Sequence, residues 1–229
     1  MCGRYNLKTG SHELAAVFAA LRGDQFHWEP RYNIAPTQPV VVVRLREDRQ
    51  RELSLLRWGL VPSWAKDPAR AASMINARSE TVDTKPAFRA AFKRRRCLLP
   101  ATGFYEWRQA GRSRQPVLIR LQQAEPFAFA GLWETWTDPA GGELETCTIL
   151  TTAANGLLAG LHDRMPVILA PDDYEDWLTC PEPELPSLHR LWTPYSAKQM
   201  ELVDVESYVN NVRNEGPECE RPVSRGLFD

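Results

Sequence analysis

No run of about 18 consecutive apolar residues occurs in the 229-residue chain, so a transmembrane helix is not expected. The first residues, Met-Cys-Gly-Arg-Tyr-Asn-Leu-Lys, lack the apolar segment of a secretory signal, and export is not expected either. None of the five cysteines (Cys2, Cys97, Cys147, Cys180, Cys219) forms a C-x-x-C pair. Such scattered cysteines indicate neither a metal site nor a disulfide framework, and fit a reducing, cytoplasmic compartment. Repeats and low-complexity tracts are missing too. With 43% hydrophobic and 25% charged residues, the composition excludes disordered, collagen-like and coiled-coil chains. The length sustains one core and no linker-like segment divides it, so a single domain, 1–229, is expected.

A net charge of −1 hides a contrast. Residues 1–120 hold 22 Lys and Arg against 10 Asp and Glu, whereas residues 121–229 hold 6 against 19. One reading is a polyanion-binding surface built from the first half. The other is mutual attraction of the two halves inside one fold, which on charge alone is the simpler account. The densest basic stretch, Arg89 to Arg96, also reads as a solvated helix end where cations meet the dipole.

Leu14, Val17, Phe18 and Leu21 have helical spacing, with Ser11 as N-cap and Gly23 as terminator. Pro39 to Arg46 and Glu52 to Trp58 read as strands around the polar turn Glu47 to Gln50. Lys85 to Arg95 predicts a short helix, and Cys97 to Pro100 a buried strand. Phe104 to Trp107 and Pro116 to Leu121 flank one hairpin turn, and Pro126 to Trp133 and Thr146 to Thr152 flank another at Asp138-Pro-Ala-Gly-Gly. Pro171 to Leu178 begins with Pro and acids, as a helix start does. Many short, hairpin-linked strands with interspersed helices predict an α+β fold around a curved, largely antiparallel, barrel-like sheet.

Cys2 is the most informative single position. Removal of Met1 leaves an N-terminal cysteine, with a primary amine and a thiol on adjacent carbons. An α-amine has a reference pKa of about 7.7–8.0 against about 10.4 for lysine, so much more of it is neutral and nucleophilic. A 1,2-aminothiol condenses with an aldehyde to an imine, and the thiol then closes a thiazolidine in an intramolecular step. Met-Cys-Gly also opens N-terminal-nucleophile amidotransferases, so an amidohydrolase is a genuine competitor.

Three further segments place polar groups among apolar ones: Ile75-Asn-Ala-Arg-Ser-Glu80, Gly103-Phe-Tyr-Glu-Trp107 and Leu161-His-Asp-Arg-Met-Pro166. Singly, each has a structural explanation. Glu106 could be the solvent face of a strand, His162 a hydrogen-bonded loop residue and Asn76 a turn cap. His12, His27 and His189 lie in polar settings and read as structural.

Together with Met1-Cys-Gly-Arg-Tyr, Arg31-Tyr-Asn-Ile-Ala-Pro-Thr37, Arg57-Trp-Gly-Leu-Val-Pro-Ser-Trp64, Cys97 to Trp107 and Asn211-Val-Arg, these motifs occur in a fixed order across nearly the whole chain. In that order the sequence resembles the SRAP family, the SOS-response-associated peptidase-like proteins that process abasic sites. The resemblance implies one α+β domain with a positively charged groove that acts on abasic sites in single-stranded DNA, as a monomer and without metal or organic cofactor. It implies Cys2 as nucleophile and attachment point and Glu106 as general acid/base. His162 would assist sugar ring opening and reversal, and Asn76 would orient the amine and the sugar.

Arg4, Arg31, Arg78 and Arg164 are the matching phosphate-contact candidates, since bidentate guanidinium suits phosphate. Pro36 and Trp64 are candidates for a wedge or stacking platform. For Arg31 and Arg78 the alternative is an internal salt bridge with Glu80 or Glu106, and for Trp64 it is core packing. Ala65 stands where some relatives carry a second aromatic. Two rivals remain: an amidohydrolase or thiol peptidase using Cys2, and a pure single-stranded DNA binding module.

Overall fold

The four-residue run Val40 to Val43 is apolar without alternation, which a strand tolerates only when both its faces are covered. All four residues are buried, and they belong to one strand in the wall of a closed barrel. The computed structural model describes residues 2–23, 26–68, 74–111, 113–123, 126–138 and 140–224. Met1 and residues 69–73 lie outside them.

The barrel strands are β3 (Pro39–Leu45), β4 (Arg51–Trp58), β6 (Arg96–Ala101), β9 (Phe127–Thr137) and β10 (Glu143–Ala153). They pair in the order β10-β4-β3-β6-β9, and β9 pairs β10 again to close the ring. Only β10–β4 is parallel within the ring. Closure leaves an open edge in the ring at the start of β4, which meets β10 at Arg57 and Trp58 alone. Three short strands extend it: β5 (Asn76–Arg78) and β11 (Arg164–Pro166) pair β10, and β12 (Ile168–Leu169) pairs β9.

A second, five-stranded sheet completes the fold. It consists of β1 (Tyr5–Leu7), β2 (Arg31–Ile34), β7 (Gly103–Ala110), β8 (Ser113–Leu121) and β13 (Met200–Asp204), in the order β13-β8-β7-β1-β2. Tyr5 joins the two sheets, its ring edge-on to Trp58 at 5.3 Å and to Phe129 at 5.9 Å. The α+β, barrel-like expectation is therefore met, with both predicted hairpins formed as β7–β8 and β9–β10.

The helices are shorter than their patterns. Helix α1 spans Ser11–Val17, with Gly10 rather than Ser11 at the N-cap. Ala19 takes a φ of +46°, and the Leu21 amide donates to the Arg51 carbonyl at 2.7 Å, so the edge of β4 captures the chain before the helix can continue. Leu14 and Phe18 are buried, but Val17 and Leu21 are exposed. Helix α2 covers only Arg89–Arg94. Its end is not simply a solvated basic stretch. Arg96 is buried and donates to the Phe92 and Lys93 carbonyls at 2.7 and 3.0 Å, satisfying groups a helix end leaves open. Helix α3 is Tyr174–Thr179, preceded by a 3-10 turn over Pro171–Asp173.

Much of the charge contrast is spent inside the molecule. First-half cations meet second-half acids in Lys8–Glu220, Arg31–Glu215, Arg44–Glu145, Arg51–Glu175, Lys93–Glu182, Arg95–Glu134, Arg108–Asp204 and Arg120–Glu201. Attraction between the halves thus accounts for a large part of the asymmetry. No helix among the described residues is long and apolar enough to cross a membrane.

Candidate active site around Cys2

Strand β1 lies between β2 and β7, with Tyr5 opposite both Ile34 and Phe104. The Tyr105 amide donates to the Arg4 carbonyl at 2.9 Å, which carries the pairing with β7 one residue nearer the chain start. The Glu106 carboxylate on β7 lies near enough for its charge to act on Cys2. Cys2 is fully buried, its Sγ 3.9 Å from the Arg4 carbonyl oxygen. Burial, and next the charge of Glu106, pushes its thiol far above the ordinary cysteine range.

Glu106 is only 6% exposed. Side chains alternate along a strand, and here Phe104 joins the main core while Tyr105 and Trp107 belong to a smaller cluster on the other face. Glu106 shares the Phe104 side, so it is not on a solvent face. A carboxylate is costly to bury, and this one is held where its charge is felt by the Cys2 thiol.

Asn76 supplies the third component. Its Nδ2 donates to the Cys2 carbonyl oxygen at 2.8 Å. Parallel pairing of Asn76 with Ile149 of β10 fixes its backbone, and the Trp58 indole donates to the Ile75 carbonyl at 2.9 Å. Asn76 Oδ1 is buried and has no hydrogen-bond partner among the described residues. Residues 2, 76 and 106 are thereby assembled from three distant segments.

His162 is tied to the same framework through β10. Its Nδ1 accepts from the Arg164 amide at 2.9 Å, and the Asp163 carboxylate lies 2.7 Å from the same nitrogen. Arg164 reaches the Thr151 carbonyl, and Thr151 pairs Arg78, two residues beyond Asn76. Among the described residues, no hydrogen bond or ion pair joins Cys2 to His162.

The arginine candidates divide. Arg4 is 8% exposed and donates from Nη1 to Asn33 Oδ1 at 2.7 Å and to the Val209 carbonyl at 2.9 Å. Its guanidinium lies over the Trp107 ring, 5.5 Å from the centroid. Arg31 pairs Glu215 at 2.6 Å, not Glu80 or Glu106. Arg164 forms a two-pronged ion pair with Glu80 at 2.5 and 2.9 Å. These three guanidiniums are therefore engaged within the protein. Arg78 is exposed and its side chain makes no hydrogen bond or ion pair among the described residues, although its charge acts on Glu80. Trp64 is 64% exposed, which removes core packing as its explanation. Pro36 is half-buried in a tight turn whose next residue, Thr37, has a φ of +71°, a conformation costly for a β-branched side chain.

Two residues escaped the sequence reading. Asn33 is fully buried and donates to the carbonyls of Val209, Asn211 and Asn214, so it anchors the chain's late segment to β2. Trp107 donates to Asn210 Oδ1 at 2.6 Å and, with Arg4, Arg114 and Ser207, lines a cleft of about 490 Å³. Both sit inside quoted motifs, but nothing in their residue type sets them apart from ordinary strand residues.

The chain is 41% identical over 223 residues to the abasic site processing protein YoqW of Bacillus subtilis, covering 95% of this chain and 98% of that one. It is 33% identical to the chicken (Gallus gallus) abasic site processing protein HMCES, covering 99% and 79%. A solved protein from Bacteroides thetaiotaomicron shares the fold with a TM-score of 0.87 at 24% identity, covering 97% of this chain and all of that one. The profile described as SOS response associated peptidase (SRAP) matches residues 1–212. The chain belongs to the SRAP family of abasic site processing proteins.

Proposed function

We propose that this protein, once Met1 is removed, captures abasic sites in single-stranded DNA as a covalent thiazolidine at Cys2. The observation that carries the reading is the convergence of Asn76 and Glu106 on Cys2. The Asn76 amide holds the Cys2 carbonyl at 2.8 Å, and the Glu106 charge bears on the thiol. The relatives YoqW and HMCES are abasic site processing proteins by name.

The ring-opened deoxyribose offers an aldehyde. The freed Cys2 amine adds to its carbon, and loss of one water gives an imine. The Cys2 sulfur then adds to the imine carbon while the nitrogen takes a proton, closing a five-membered ring. Each step moves a proton, and Glu106 is the buried carboxylate beside the reacting groups. As the sulfur attacks, its proton passes to Glu106, whose charge bears on the thiol. Asn76 fixes the Cys2 backbone, and its second amide atom, buried and unpartnered, is available to the amine or the sugar. His162 moves protons at the sugar oxygen during ring opening and reversal. The reaction needs no cofactor, and a reducing cytoplasm, at the nucleoid, keeps Cys2 a thiol.

Exposed Arg78 and Trp64, with Pro36 beside them in the motif set, are the DNA-facing groups. Arg4, Arg31 and Arg164 shape that surface from within, and a phosphate would have to compete with their present partners. Base stacking on Trp64 is sequence-tolerant. The test is a denaturing gel of the processed protein with an oligonucleotide bearing one abasic site. A shifted band whose mass equals protein plus aldehyde-form oligonucleotide less one water is expected. Turnover of glutamine or peptides without any adduct would instead favour the amidohydrolase or peptidase reading. Cys2→Ala abolishes the adduct while DNA binding persists; unchanged behaviour would leave only a binding module.

A further inference from the structure

Glu80 has no place in the chemistry above, yet it holds a residue that touches His162. It sits in the 3-10 turn Ser79–Thr81 that follows β5. Arg164, the first residue of β11, faces it with Nη1–Oε1 at 2.5 Å and Nη2–Oε2 at 2.9 Å. Nη2 also donates to the Thr151 carbonyl, so the guanidinium crosses β10 from β11 to the β5 side. The Arg164 main-chain amide donates to His162 Nδ1 at 2.9 Å. We propose that Glu80 is a positioning residue for His162: by clamping the Arg164 side chain it keeps the Arg164 amide on Nδ1, and so keeps the ring proton on Nε2.

The physical reason lies in a conflict at one nitrogen. A main-chain N–H can only donate, so Nδ1 must present its lone pair to Arg164. The Asp163 carboxylate, 2.7 Å from the same atom, can only accept, so it rewards a proton on Nδ1. The two contacts favour opposite states of the ring. Arg164 prevails while its main chain is held, which pairing with Ala153 of β10 begins and the fork-to-fork side-chain pair with Glu80 completes. The Arg164 side chain is 12% exposed, so the clamp is shielded on that side, whereas Asp163 is 82% exposed and its pull is weakened by water. Releasing Arg164 hands Nδ1 to Asp163 and removes the fixed Nε2–H.

The consequence for activity rests on the reading of His162 given above, but the tautomer does not. Long-range ¹⁵N–¹H spectra of the His162 ring, taken where the ring is neutral, report it directly. The unaltered protein shows the Nε2–H pattern. Glu80→Gln moves the signals toward Nδ1 protonation, and Glu80→Gln with Asp163→Asn restores the Nε2–H pattern because the competitor is gone. In a reversal assay with preformed adduct, Glu80→Gln slows release about tenfold, a fraction of the 10²–10⁴ a positioned acid–base group supplies, and the double variant recovers most of it. Identical ring spectra in the unaltered protein and Glu80→Gln overturn the inference, whatever the adduct does. A shifted tautomer in a protein that never forms an adduct sustains the positioning role and overturns the thiazolidine reading instead.

Discussion

The side-chain amide of Asn76 donates to the main-chain carbonyl of Cys2 at 2.8 Å, across 74 residues of sequence. This bond fixes the main chain of Cys2 through its carbonyl oxygen. Removing it with Asn76→Ala leaves a buried carbonyl without its donor, a loss of about 1–3 kcal/mol. If that cost falls on the reacting geometry, adduct formation slows by about ten- to a hundredfold at 1.36 kcal/mol per decade. Single-turnover kinetics on an abasic oligonucleotide measure it. An unchanged rate would mean the bond is structural only.

Glu106 invites a test in which two observables move in opposite directions. Its charge raises the Cys2 thiol, after burial as the larger cause. Glu106→Gln therefore lowers the pH at which Cys2 ionises, and alkylation by a small haloacetamide begins at lower pH. The same change removes the proton acceptor, so thiazolidine formation slows by about 10²–10⁴-fold. A thiol that becomes more reactive in a protein that becomes less active separates proton transfer from simple thiolate supply. Parallel gains in both would contradict the assignment of Glu106.

The strands of both sheets were legible because their signals are local. The unbroken Val40 to Val43 run and the two hairpin turns each dictate a strand or a reversal regardless of the rest of the chain. Helix lengths were not legible, because long-range capture ended them. Leu21 is drawn to β4, and nothing between Ser11 and Gly23 encodes that partner. At the site, the chemistry of Cys2 could be argued from one residue, whereas the burial of Glu106 depends on which face of β7 meets the core. Phe104, Tyr105 and Trp107 are apolar on both faces, so alternation could not choose. Arg4 shows the same limit. A guanidinium in a motif looks like a phosphate ligand until Asn33 and the Val209 carbonyl are found 2.7 and 2.9 Å away.

Arg4 and Trp64 should then behave as opposites. Arg4→Ala strips a buried donor from Asn33 Oδ1 and the Val209 carbonyl. Asn33 Oδ1, left unpaired, costs about 1–3 kcal/mol, whereas the Val209 carbonyl keeps the Asn33 amide at 3.3 Å, and the melting temperature falls by several degrees. Trp64→Ala removes an exposed side chain and changes stability by no more than about 0.5 kcal/mol. It weakens single-stranded DNA binding by about 1–3 kcal/mol if a base stacks there. Calorimetry and fluorescence anisotropy on both variants decide it. A Trp64→Ala protein with full affinity would remove the stacking platform from the proposal.

Alkali probes the core that carries the site. Burial pushes the thiols of Cys97 and Cys147 and the hydroxyls of Tyr5, Tyr105 and Tyr174 well above their ordinary values. A raised folded value favours the folded state as long as both states stay protonated, so this stability is intact below the unfolded values, about 8.5 for Cys and 10 for Tyr. Above them the unfolded chain releases protons that the folded chain keeps, and the stability is lost as pH climbs toward the folded values. Denaturant titrations should show a midpoint that falls steadily as pH rises above about 8.5. Phenolate absorbance from these three tyrosines should appear only together with loss of the far-ultraviolet circular dichroism signal. Complete, reversible tyrosine ionisation in a chain that keeps its fold would show that water reaches Tyr5 between the two sheets.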